Sequence, residues 1–266
     1  MHASFLGVKP GMKIVDVGCG TGDFTRYLAS LVGSKCKIIG VDARVARLKA
    51  AERETGREGL SSRISYRKGD AYSIPVDEGW ADLTCCRTLL MHLTDPLKAV
   101  KEMKRITRRG GTVAAFERGS MNAAFIPGDE RLTKMALRLG EAYVDGVRKL
   151  ERKSFNIGER LPTVFHEAGL DGVMAEVQAD TYLATDPRRK LRDVKDELAF
   201  ELATFRETKE VSDKAMIAGG ASKADIVKYN RWFEGFLKGL LSSDEKLRND
   251  TTFGAGAMYL VAGRKG

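Results

Sequence analysis

Residues 14–24 read IVDVGCGTGDF, and the fold turns on how this stretch is understood. Ile14, Val15 and Val17 form a β-branched run around Asp16, the signature of a strand covered on both faces. Gly18, Gly20 and Gly22 follow at alternate positions. Glycine alone takes positive φ without strain and lets a ligand approach bare backbone, so these residues read as the turn leaving the strand. Phe24, Tyr27, Leu28 and Leu31 then recur at helical spacing. Strand, glycine turn and helix N-terminus together make the nucleotide-side grip of an α/β sheet. A purely structural turn needs no such run of glycines. A dinucleotide fingerprint would place its third glycine three positions after the second, whereas here it comes two after, and Asp23 fills the remaining place.

Working outward, a second strand is expected over Lys37–Asp42, ending in an acid 20 positions after Gly22. A carboxylate there suits a ribose diol, and it can equally N-cap a helix over Ala43–Glu54. Strand three is expected over Ile64–Lys68, followed by Gly69-Asp70-Ala71, and strand four over Ala81–Cys86, continuing into Arg87–Leu93. Asp95-Pro96 pairs an N-cap with proline at N1, and Leu97, Val100, Met103 and Ile106 should face the sheet. Arg109-Gly110-Gly111 is expected to close that helix, with strand five over Thr112–Glu117.

The string DVGCGTG at Asp16–Gly22 resembles the first motif of the class I S-adenosylmethionine-dependent methyltransferases. GDA at 69–71, RTLLMHL at 87–93 and RITRRGGTVAAFERG at 105–119 resemble that family's later motifs, in the branch holding menaquinone, ubiquinone and secondary-metabolite enzymes. The resemblance implies a Rossmann-like seven-stranded sheet in the order 3-2-1-4-5-7-6, with strand seven antiparallel. It also implies S-adenosylmethionine as cofactor, S-adenosylhomocysteine as product and a small-molecule acceptor. By the same resemblance Asp16 orients the cofactor's amino-acid end, and Gly18, Cys19, Gly20 and Gly22 give close approach. Asp42 with Ala43 takes the ribose, Asp70 with Ala71 the adenine, and Arg87 either the methionine carboxylate or a packing role.

Beyond Gly119 a helix is expected over 129–151 with Leu132, Met135, Leu139, Tyr143 and Leu150 on one side. GERLPTVFHEA at 158–168 resembles the helix before strand six, itself expected over Val173–Ala184. Asp186-Pro187 should cap a helix to about Glu207. Gly219-Gly220 breaks the chain, and Ser222 with Asp225 opens a helix to Leu241 as a capping box. A last strand is expected over Phe253–Gly263. One methyltransferase domain over 1–266 follows, with a core of 12–185 and 251–266 and a helical lid insertion at about 186–250. Such an insertion would sit over the ligand crevice, with most of its aromatics forming its own core. Residues 1–11 are short for a lead-in, with Phe5 and Leu6 ending a helix.

The net charge of +9 is uneven: residues 1–118 hold 21 Lys and Arg against 13 Asp and Glu. A solvated face accounts for runs such as Arg44, Arg47, Lys49, Arg53 and Arg57, and RNA or protein methylation is the alternative. Neither a base-methylating N/D-P-P-Y/F signature nor a Pro-Cys nucleophile follows strand four, which disfavours nucleic acid. A non-catalytic cofactor-binding regulator is a further alternative. No apolar run approaches the ~20 residues of a membrane span, and a cytoplasmic protein is expected. Cys85 and Cys86 should point to opposite faces of a strand, against joint metal or arsenic chelation, and no metal site is expected. Methyl transfer from a sulfonium needs alignment, a dry pocket and, for a protonated acceptor, a base. His92, Glu117 and Tyr143 are the candidates, with His166 on a helix behind them. Each has a structural role as its alternative.

Overall fold

The apolar runs around the glycine turn become the centre of a parallel sheet. The computed structural model describes residues 3–266, apart from the side chains of residues 3, 4, 121–123 and 180. Its strands are β1 (Lys13–Val17), β2 (Lys37–Asp42), β3 (Ile64–Lys68), β4 (Ala81–Arg87), β5 (Thr107–Phe125), β6 (Asp171–Leu183) and β7 (Phe253–Arg264). They lie in the order β3-β2-β1-β4-β5-β7-β6, as the family resemblance implies. Pairing is parallel from β3 through β5, with Val17 opposite both Val41 and Cys86, Asp42 opposite Lys68, and Arg87 opposite Phe116. The chain leaves β1 for β2 on one side and later β4 on the other. The carboxyl end of β1 is therefore the switch point where α/β sheets bind ligands.

Helices α1 (Ala3–Leu6), α2 (Asp23–Val32), α3 (Val45–Arg57), α4 (Pro96–Ile106) and α6 (Leu161–Glu167) accompany the strands. Ile14, Ile38, Leu83, Cys85, Ala114 and Phe116 from the sheet pack with Phe24, Leu28 and Val32 of α2 in one buried core that also takes in Phe5 and Leu6. Phe24 and Phe116 meet edge to face at 5.3 Å. Such interlocking of fully buried side chains supplies the main favourable term in folding.

The end of α4 differs from expectation. The helix stops at Ile106, and Arg109-Gly110-Gly111 lies inside β5 rather than closing the helix. Thr107 Oγ1 lies 2.7 Å from the Met103 carbonyl, and Lys265 Nζ donates to the carbonyls of Arg105 and Thr107, so the last turn is capped from outside. Ala81 pairs with Thr107 but Leu83 with Thr112, so β5 bulges over 108–111. Gly110, at φ +70°, carries that bulge and donates to the Lys265 carbonyl at 2.7 Å. Asp95 caps α4 as expected, accepting from Lys98 N at 3.0 Å.

The chain divides into two compact units. One holds Met1–Gly119, Asn156–Gln178 and Met258–Gly266; the other holds Ser120–Phe155 and Ala179–Ala257. The second unit contains α5 (Glu130–Glu151), α7 (Leu191–Ala218), α8 (Lys223–Leu241) and α9 (Asp244–Arg248). Leu132, Met135 and Leu139 of α5 pack with Met216 and Ile226, whereas Leu150 is exposed, a correction to its expected place on the buried side. Ser222 accepts from Asp225 N at 3.0 Å and starts α8 as read from the sequence. Helix α7 begins later and runs longer than expected. The Asp186 carboxylate binds the N–H and guanidinium of Arg188, holding 186–189 as a turn before the helix. Past Glu207, the i,i+4 pairs Lys209–Asp213 and Lys214–Glu210 carry α7 on to Ala218. Gly219 also does more than break the chain. A Cβ there would run into the backbone of Ala142, just as one at Gly146 would run into the backbone of Ala215, so small residues let α5 and α7 touch.

Candidate cofactor-binding site

The glycine loop folds back over the end of β2. Gly18 and Cys19 both donate to the Val41 carbonyl, at 2.7 and 3.0 Å, and Gly20 N donates to Asp42 Oδ2 at 3.0 Å. Gly18, Gly20 and Gly22 all have positive φ, of 73°, 56° and 81°. Their surroundings separate their roles. A Cβ at Gly18 would strike the Leu89 side chain at 2.8 Å, and one at Gly22 would press on Tyr66 and on Ala51 Cβ. A Cβ at Gly20 would meet nothing within 4 Å. Gly18 and Gly22 are thus small for internal packing, and Gly20 presents its backbone to open space.

Asp16 sits beneath this loop, 1% exposed. Its Oδ2 accepts from Thr25 Oγ1 of α2 at 2.6 Å, and its Oδ1 is buried with no hydrogen-bond partner. Burial pushes its carboxyl up to about 7, the Thr25 hydrogen bond and the nearby Arg87 charge acting the other way. Arg87 is exposed at the end of β4. Burial likewise raises the Cys19 thiol, with the charges of Asp16 and Asp42 adding to it. A buried, poorly reactive thiol fits a residue that contributes its backbone.

Asp42 is 8% exposed and holds two backbone amides, Gly20 N on Oδ2 and Arg44 N at 2.8 Å on Oδ1. Each oxygen keeps a further lone pair. Asp42 does not N-cap the next helix: α3 begins at Val45 with Arg44 in that position, and Ala43 is exposed beside it. After β3, Asp70 is exposed and accepts from Tyr72 N at 2.8 Å, an Asx turn that shapes the loop carrying half-buried Ala71. Tyr72 is tied onward, its hydroxyl accepting from Asp95 N at 3.1 Å.

Glu117, read from the sequence as a candidate base, is fully buried at the end of the segment paired with β4. Its Oε1 accepts from Leu89 N at 2.8 Å and Leu90 N at 2.7 Å, and its Oε2 from Met91 N at 3.3 Å. Burial pushes this carboxyl up to about 7 against the pull of those three amides. These acceptor positions are thus turned onto the chain's own backbone. His92 is exposed in the 3₁₀ turn Leu90–His92, and His166 is exposed on α6. Tyr143 belongs to the second unit, where its ring lies 6.0 Å from that of Phe155, and burial raises its hydroxyl. Cys85 and Cys86 are both fully buried. Cys85 packs in the sheet core, and the Cys86 sulfur lies 3.9 Å from Glu117 Oε1.

Several participants carry no sequence motif. Thr25 is an ordinary helix residue until its hydroxyl meets Asp16. Tyr66 covers Gly40, where a Cβ would lie 2.6 Å from its ring, and its hydroxyl lies 2.8 Å from that of Thr55. Thr88 takes φ +48°, a conformation uncommon outside glycine, and donates its N–H to the Phe116 carbonyl at 2.8 Å. The one advance signal for Tyr66 is Gly40 itself, a glycine inside a strand marking close approach.

Residues 15–115 match a family described as a methyltransferase domain. A demethylmenaquinone methyltransferase of Staphylococcus aureus is 36% identical over 114 residues, covering 42% of this chain and 45% of that protein. A ubiquinone/menaquinone biosynthesis C-methyltransferase of Shewanella oneidensis is 31% identical over 111 residues, covering 42% of this chain and 44% of that protein. The alignments thus span less than half the length of these curated relatives. Among solved structures, the YcgJ protein of Bacillus subtilis shares the fold at a TM-score of 0.55, with 16% identity and full coverage of both chains. A phosphoethanolamine N-methyltransferase of Haemonchus contortus shares it at 0.53, with 17% identity over 99% of this chain and 52% of that one. The residues present fit the cofactor of this class: a bare αL glycine, an acid with spare lone pairs at the second strand end, and a buried Asp16 oxygen without a partner. Residues 15–115 are thus similar to a methyltransferase domain, set in a sheet whose strand order is the one the resemblance to the class I S-adenosylmethionine-dependent methyltransferases implies.

Proposed function

We propose that this protein transfers a methyl group from S-adenosylmethionine to a small organic acceptor. The observation that carries the reading is Gly20, held at positive φ by Asp42 with open space where a Cβ would stand. A backbone tethered that way and left bare is built to be approached. The cofactor, when bound, supplies a methyl group already activated by its sulfonium. The chain's own part is to bind and orient it. Asp42 takes ribose hydroxyls on its spare lone pairs, Asp70 and Ala71 take the adenine edge, and Arg87 offers charge to the amino-acid carboxylate. Asp16, buried with one oxygen on Thr25 and the other unpartnered, orients the amino-acid end of the cofactor. Alignment of the methyl with an acceptor atom is where the rate gain of such a displacement arises.

The relatives' names support a small acceptor of the demethylmenaquinone kind as the first to try, while acceptor choice rests on parts of the chain outside the shared segment. The test is calorimetric titration with S-adenosylmethionine and S-adenosylhomocysteine, followed by product analysis with hydroquinone-type and other small acceptors. Micromolar binding and acceptor-dependent formation of S-adenosylhomocysteine are expected. Absence of binding to either cofactor form removes the reading. Binding with no transfer to any small acceptor, but transfer to RNA or protein, moves the acceptor to a macromolecule.

A further inference from the structure

The loops at the carboxyl end of the sheet are joined through one buried side chain. Glu117, within β5, is fully buried yet accepts three backbone N–H groups from the loop after β4, at 2.7, 2.8 and 3.3 Å. That loop starts at Thr88 in a left-handed conformation and swings Leu89 onto the glycine loop, where a Cβ at Gly18 would lie 2.8 Å from Leu89 Cδ1. Gly18 in turn hangs on the Val41 carbonyl, and Gly20 on Asp42. A carboxylate on β5, a leucine after β4, a glycine after β1 and an aspartate ending β2 thus form one connected series.

A buried ionisable side chain is costly unless it is satisfied, and here its three backbone donors, Leu89, Leu90 and Met91, belong to one turn of loop. We propose that Glu117 is a positioning residue for the cofactor: it holds the Leu89–Met91 backbone so that Leu89 stays seated on Gly18 and the glycine loop keeps its cofactor-ready shape. This rests on the methyltransferase reading above. Without the carboxylate, three amides lose their acceptor, Leu89 is free to lift, and the Gly18–Gly20 backbone loses the surface it lies on.

The test compares wild type with Glu117→Ala, Glu117→Gln and Thr107→Val. Thr107 is buried at the start of β5, with its hydroxyl 2.7 Å from those of Thr84 and the Met103 carbonyl, so its loss destabilises the same strand away from the loop. Glu117→Ala should weaken S-adenosylhomocysteine binding at least about tenfold, and Thr107→Val less than about twofold at a similar melting temperature. Glu117→Gln should recover most of the affinity, because its amide oxygen can still accept from Leu89 and Leu90. Folded Glu117→Ala that binds within twofold of wild type, or no worse than Thr107→Val, overturns the proposal. Should Glu117→Ala fail to fold, amide exchange in ligand-free Glu117→Gln decides. Faster exchange confined to Met91 and its neighbours supports the anchor, and exchange unchanged from wild type refutes it. A wild type that binds no cofactor defeats the methyltransferase reading instead, and the same exchange measurement then judges the anchor separately.

Discussion

The Gly20 amide donates to Asp42 across 22 positions of sequence, at 3.0 Å, and the two residues fix each other. The glycine gains the hydrogen bond that holds its left-handed turn, and the carboxylate is oriented with lone pairs to spare. One contact therefore links the shape of the loop to the carboxylate proposed to take the ribose.

Replacing Asp42 tests the loop contact and the proposed ribose contact together. Asp42→Ala should weaken S-adenosylhomocysteine binding by about 100-fold, since charge-assisted hydrogen bonds to a ligand are worth roughly 1.5–3 kcal/mol. Asp42→Asn keeps one acceptor and should lose about tenfold. Calorimetric titration of the two variants checks the order, and equal affinities for both would contradict it.

Gly20→Ala separates folding from binding. The added methyl meets no protein atom within 4 Å, so its cost to the fold is limited to the left-handed backbone, roughly 1–2 kcal/mol. It would stand where a cofactor presses on the loop, and binding should fall by far more than stability. Gly18→Ala, which drives its methyl into Leu89, should lower the melting temperature further. A Gly20→Ala protein that binds the cofactor normally would show that this backbone is not approached.

Two buried carboxyls give the ligand-free protein a pH signature. Asp16 and Glu117 are both pushed up to about 7 by burial, above their values in an unfolded chain near 4. Between those limits the folded state binds protons that the unfolded state has released. Their favourable contribution is fully present below pH ~4 and is lost as pH rises through about 7, on the order of a few kcal/mol at most for the pair. Melting temperature should therefore decline from pH 5 to pH 8, and Asp16→Asn should flatten the decline. Asp82 and Glu102, held low by their hydrogen bonds, act in the opposite sense, with stability lost as pH falls below about 4, outside this window. A flat profile from pH 5 to pH 8 in wild type would refute the assignment.

In the second unit, two glycines of α5 should respond with opposite signs. Gly146 faces the Ala215 backbone so closely that Gly146→Ala must push the helices apart, costing about 2–3 kcal/mol or more. Gly140 is exposed with nothing within 4 Å of a Cβ, and Gly140→Ala should stabilise by ~0.5–1 kcal/mol through helix propensity. Urea unfolding midpoints decide, and two shifts of the same sign would contradict the packing described.

The sequence by itself determined the strands at the centre of the sheet and the glycine turn that follows β1, because those depend on local features. A β-branched run covered on both faces marked β1, the strands expected over Lys37–Asp42 and Ile64–Lys68 are β2 and β3, and glycines needing positive φ marked the loop. Acids at strand ends marked Asp16, Asp42 and Asp70, and Ser222 with Asp225 marked the start of α8. Contacts distant in sequence were not legible. Lys265, 160 positions beyond Arg105, takes the carbonyls of Arg105 and Thr107 where α4 gives way to β5. Gly219 is small because Ala142 lies against it. Glu117 looked like a base because a carboxylate at the end of a strand reads that way. Only the tertiary structure turned it onto Leu89, Leu90 and Met91, because a loop's unpaired amides and the acid that satisfies them meet after the chain has folded.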